Sequence, residues 1–115
     1  MAEAQGAIIN VTSIGGSRVH PFAGAAYATS KSALATLTKE MASDFGPFGV
    51  RVNAIAPGEV ETNILSEGTD QIIAGLPLGC IGQPSEVANA MYFLCSPNSS
   101  YMTGTEISIN DDRYV

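Results

Sequence analysis

The chain has 115 residues, 45% of them hydrophobic, and a formal net charge of −6 from eleven acidic and five basic side chains. That length makes one compact domain with room for a real core. The acidic balance repels phosphate backbones and argues against a nucleic-acid partner, and no apolar run approaches the about 18 residues of a membrane span.

The opening "MAEAQGAIIN" has neither a basic region nor a long apolar stretch, so it does not read as a secretion signal. It enters a strand almost at once. Ala7, Ile8, Ile9 and Val11 are nearly continuous in apolar character, which suits a parallel strand over 7–12 covered on both faces. A glycine turn and the loop "SRVHPF" follow. From about residue 24 to 45 the spacing predicts a helix, with Tyr27, Lys31, Leu34, Thr38, Met41 and Phe45 recurring every three or four residues. Alanines keep its girth small, for close approach to a neighbour, and Gly46-Pro47 ends it.

"VRVNAIAPG" predicts a second strand over 50–55, closed by Pro57-Gly58. The acidic stretch with Glu59, Glu61, Glu67 and Asp70 reads as a solvated segment, with a short helical piece near 70–75. A helix is predicted over 85–95, its inner stripe formed by Val87, Ala88, Met91, Leu94 and Cys95. "TEISI" at 105–109 alternates cleanly as a third strand. Strand, helix, strand, helix, strand makes two crossover units and hence an α/β fold with a parallel sheet.

Cys80 and Cys95 have no CxxC partner and read as reduced, packed thiols of a cytoplasmic protein. One histidine and two cysteines without ligand spacing give no metal site. His20 with Ser13 could suggest a hydrolase, but there is no G-x-S-x-G turn, and His20 reads as a loop residue.

The chemistry-bearing residues are Ser13, Tyr27 and Lys31. Ser13 follows the carboxyl end of the first strand, where open parallel sheets bind ligands. Tyr27 and Lys31, four apart, share a helix face. A free phenol titrates at about pH 10 and is a poor proton shuttle, but a neighbouring ammonium favours phenolate. Such a trio supports proton transfer to or from a carbonyl or alcohol oxygen.

The ordered motifs "NVTSIGG", "YATSK", "RVNAIAPGEVET", "GQPSEVANAMYFLCS" and "YMTGTEISI" resemble the short-chain dehydrogenase/reductase family across roughly residues 6–110. The resemblance implies a Rossmann-like, doubly wound parallel sheet and an NAD(P)-dependent oxidoreductase. Its substrate would be a small-molecule carbonyl or secondary alcohol, and a homo-oligomer is implied as well. It casts Tyr27 as the general acid/base and Lys31 as the ligand of the nicotinamide ribose that favours the phenolate. Ser13 would orient the substrate carbonyl. Pro57 and Gly58 would flank the nicotinamide, where backbone must approach a flat ring closely. Val60 would contact the carboxamide, and Thr62 the carboxamide or pyrophosphate. The resemblance does not choose between NAD and NADP.

Members of the family are usually about twice this long, and their first half holds the glycine-rich dinucleotide turn. Gly15-Gly16 is not that turn, because it follows the serine strand and leads into a loop. Residues 1–115 therefore resemble the carboxyl half of such a domain: three strands with crossover helices, the dinucleotide half absent. An alternative to independent activity is a truncated, non-catalytic fragment unable to hold cofactor alone. The resemblance also has departures, with Cys80 where Arg is frequent and Asp111-Asp112 where Gly-Gly is frequent. The first strand is expected to keep an open apolar edge, prone to strand addition.

Overall fold

The structure is a computed structural model, and it describes residues 6–13, 24–58 and 83–109. Strands β1 (Ala7–Val11), β2 (Arg51–Pro57) and β3 (Glu106–Ile109) form one parallel sheet in the order β1-β2-β3. Helix α1 (Ala25–Phe45) links β1 to β2, and helix α2 (Pro84–Cys95) precedes β3. The α/β reading holds, with element ends within one or two residues of expectation. The short helix expected near 70–75, Gly15-Gly16, His20, the acidic stretch, Cys80 and Asp111-Asp112 lie outside the described residues. No helix among the described residues is long and apolar enough to cross a membrane.

β2 is the centre. Val52, Asn53, Ala54, Ile55 and Ala56 are all buried, as a parallel strand covered on both faces should be. Its side chains alternate between faces. On one face, Val52 packs with Val50 and Ala42 of α1, flanked by Ile8, Met41 and Phe45. On the other, the Arg51 guanidinium reaches the carbonyls that follow α2, at 3.3 Å from Ser96 and 2.8 Å from Ser99. α1 and α2 thus cover opposite faces. Since the order β1-β2-β3 runs in one direction, the two crossovers have opposite hands, and one departs from the usual right-handed rule.

The helix ends follow local chemistry. Pro84 occupies the first turn of α2, where its missing N–H costs nothing. The Glu86 carboxylate accepts from the Gln83 N–H at 2.9 Å in a capping box. α1 ends at Gly46-Pro47, as expected, and passes through a short 3-10 turn to Gly49, whose φ of 78° needs glycine. Gly104, at φ 72°, also sits where an added Cβ would lie 3.6 Å from the Ala42 methyl. Of the α1 alanines expected to allow close approach, Ala42 alone is buried, Ala28 and Ala35 are half-buried, and Ala25, Ala26 and Ala33 are exposed.

In α2, Leu94 is fully buried, and Val87 and Met91 are half-buried. Cys95 is exposed, which corrects the expectation of a packed thiol. One residue beyond Leu94 is about 100° around the helix, off the inward stripe.

Asn53 ties the approach of β3 to the sheet. Its amide nitrogen donates to the Met102 carbonyl at 3.0 Å, and its oxygen accepts from the Thr105 N–H at 3.1 Å. The side chain is fully buried. Asn53→Leu therefore strands a carbonyl and an amide in the interior. We expect a loss of about 2–5 kcal/mol in urea unfolding; a change under about 0.5 kcal/mol would contradict the role assigned to Asn53.

Among the described residues β1 is an edge of the sheet. Its Gly6 carbonyl and Thr12 amide bond to β2, so by alternation the amides of Ala7, Ile9 and Val11 face outward. Val11 is 40% exposed. Such an edge is a template for strand addition. Size-exclusion chromatography with light scattering should give a mass above that of one chain, falling on dilution; a monomer at all concentrations would refute self-pairing.

Candidate active site

The site forms where the strands end. β1 stops at Val11, and the next residue, Thr12, is buried and held from two directions. Its N–H donates to the Ile55 carbonyl at 2.7 Å, continuing the ladder for one more step. Its hydroxyl lies 2.6 Å from Oε2 of Glu106 and 3.1 Å from the Ile55 oxygen. A hydroxyl has one proton to give, and the shorter contact to a carboxylate has the length of a charge-assisted bond. Thr12 thus donates to Glu106, and Ile55 is served by the amide. Ser13 follows, half-buried, at the end of this fixed segment.

α1 supplies the other two groups from its first two turns. Lys31 Nζ donates to the Val11 carbonyl at 3.2 Å and lies 5.9 Å from the centroid of the Tyr27 ring. Two things produce this arrangement. The four-residue spacing puts Tyr27 and Lys31 on one face. Further along that face, Asn10 donates to Thr38 at 3.0 Å, and Thr38 donates back to the Leu34 carbonyl at 2.9 Å. The helix is therefore pinned to β1 at Asn10–Thr38 and again at Val11–Lys31. Tyr27 as a residue is 45% exposed.

β2 brings Pro57 to the neighbouring strand end. Pro57 pairs with Ile109, and the Gly58 N–H donates to the Ile109 carbonyl at 2.8 Å. Proline at the last position removes no ladder bond from the strand interior. Ser13, Lys31 with Tyr27, and Pro57-Gly58 thus stand at the carboxyl ends of adjacent strands. Val60 and Thr62 lie outside the described residues.

The donor set suits a nicotinamide nucleoside. An ammonium has three N–H donors; the Val11 carbonyl takes one, which leaves two for a vicinal diol such as a ribose presents. Sequence reading singled out Ser13, Tyr27 and Lys31 as candidates from spacing and placement. It missed Thr12, Glu106 and the Asn10–Thr38 pin, which join residues as far as 94 positions apart.

The family model described as enoyl-(acyl carrier protein) reductase matches residues 1–111. Protein FixR of Bradyrhizobium diazoefficiens is 57% identical over 113 residues, covering 97% of this chain and 41% of that protein. The 3-oxoacyl-[acyl-carrier-protein] reductase FabG of Vibrio cholerae is 38% identical over 120 residues, covering 100% of this chain and 48% of that protein. A crystal structure of a 3-oxoacyl-[acyl-carrier protein] reductase with bound NAD from Brucella melitensis superposes with a TM-score of 0.89 at 37% identity, covering 95% of this chain and 41% of that one. The chain spans less than half the length of these relatives.

Proposed function

Because the chain belongs to the short-chain dehydrogenase/reductase family, we propose that it carries the proton-transfer side of an NAD(P)-dependent oxidoreductase site acting on a carbonyl or secondary alcohol. The observation that carries this reading is the Lys31 ammonium, set between the Tyr27 ring and the Val11 carbonyl at a parallel-strand end. The Brucella melitensis relative, at 37% identity, holds NAD, which supports a nicotinamide cofactor here.

When bound, the nicotinamide supplies or accepts the hydride. The chain's own residues do the rest. Ser13 donates a hydrogen bond to the substrate oxygen and fixes its direction. Tyr27 gives that oxygen a proton in reduction and takes it back in oxidation. Lys31 holds the ribose hydroxyls with its two remaining donors. Pro57, Gly58, Val60 and Thr62 would border the nicotinamide and its carboxamide. The reading carries with it the homo-oligomer expected from the resemblance; the cytoplasmic location expected from the unpaired cysteines stands beside it as a separate proposal.

A second reading rests on the span of the match. A chain with under half the length of its relatives could keep this half-site as a non-catalytic fragment without retaining a cofactor alone. Titration with NADH and NADPH, followed by fluorescence or thermal shift, separates the two. The oxidoreductase reading expects saturable binding of one of them below about 1 mM; no binding of either supports the fragment.

Where turnover is measured, Tyr27→Phe should lower kcat by about 10²–10⁴-fold, as for loss of a general acid, while thermal stability changes little because the residue is half exposed. An undiminished rate would refute Tyr27 as the proton carrier.

A further inference from the structure

Glu106 stands within the "YMTGTEISI" stretch and is not among the candidate site residues, yet it reaches the segment that positions them. It stands on β3, paired with Ala54 of β2, while Thr12 extends β1 on the far side of β2. Between β1 and β3 lie two strand spacings, roughly 10 Å. The residues beneath on this face of β2 are Ala54 and Ala56, both buried and both ending at a methyl group. A larger side chain at either position would occupy the space the carboxylate crosses. The 2.6 Å bond to the Thr12 hydroxyl is thus a strut laid over the central strand.

We propose that Glu106 is a positioning residue for the active site, acting through Thr12 on the carboxyl end of β1. Thr12 lies between the two points where β1 meets the chemistry. The preceding Val11 carbonyl receives the Lys31 ammonium, and the following residue is Ser13. The Thr12 amide fixes the backbone in the sheet plane through Ile55. The hydroxyl-to-Glu106 bond adds a hold on the face of the sheet at Thr12 itself, where neither the amide nor α1 supplies a side-chain partner for the hydroxyl. Release of the strut would let both the Lys31 acceptor and the Ser13 hydroxyl shift together. The catalytic consequence rests on the oxidoreductase reading; the mechanical one does not.

The test uses the isotopically labelled full chain and the variants Glu106→Gln, Glu106→Ala, Thr12→Val and the Thr12→Val/Glu106→Ala double variant. NMR reports the Val11 carbonyl carbon and the Ser13 amide. Each single variant should shift both signals, with Glu106→Gln intermediate because its amide oxygen still accepts. The double variant should match Thr12→Val alone, since a shared interaction is lost only once. Additive shifts, or unmoved Val11 and Ser13 signals in folded Glu106→Ala, would overturn the proposal. Where turnover is measured, Glu106→Ala should lower kcat on the order of tenfold, with Glu106→Gln recovering most of it and the cofactor KM changing less than kcat. A kcat equal to that of the unmodified chain would also overturn it. Absence of turnover in the unmodified chain would count against the oxidoreductase reading alone, because the NMR shifts decide the strut independently.

Discussion

Burial of β2 on both faces is the constraint from which the remaining geometry follows. A strand with no solvent face must satisfy every amide in the sheet and every side chain by packing or hydrogen bonds. Its sequence meets that demand differently on each side. Val52, Ala54 and Ala56 present small apolar groups, so α1 can settle close to the sheet. Arg51 and Asn53 present donors and an acceptor, so the segment before β3 is tied down before it pairs. Register at one end and close approach at the other come from the same seven residues.

This division places the chemistry at the carboxyl end. α1 leans on β1 through Asn10 and Thr38, groups that must be paired once buried. That pin sets the rotation of the helix, and the rotation sends Lys31 to the Val11 carbonyl rather than into water. A lysine in such a place would be a poor structural choice on its own. Among the described residues its ammonium gains one neutral acceptor near the strand end and an aromatic ring at the limit of cation–π contact. A cation kept there with donors to spare is better explained by a polar ligand than by stability.

The periodicities made most of the fold legible. The run "RVNAIAP" names a buried strand because its inner residues are mostly apolar or small, whereas "AIINV" reads as a strand covered on both faces but lies half-buried at the sheet edge, and Gly46-Pro47 marks a helix end by its chemistry. The Tyr27–Lys31 pair was legible for a local reason, since helical geometry fixes which face residues four apart share. Cys95 was misread because apolar character at a stripe's end does not give the angle around the helix. The Thr12–Glu106 contact was out of reach. Threonine before serine and glutamate in an alternating strand carry no local signal, and only the sheet order places them across two alanines.

The Lys31 contact also separates the site from the open edge of β1. The Val11 carbonyl is the last outward-facing acceptor of that strand, and the ammonium already occupies it. A strand added at the edge can bond to Ala7 and Ile9 without touching the site, but one extending to Val11 must share that oxygen with Lys31. The two halves of β1 thus answer to different partners. Its first residues are free to be completed by another strand, while its last are held by α1 and by Glu106 from within the chain. The geometry of Ser13, Tyr27 and Lys31 is consequently set by contacts this chain makes with itself, and edge pairing can stabilise the sheet without redefining the site.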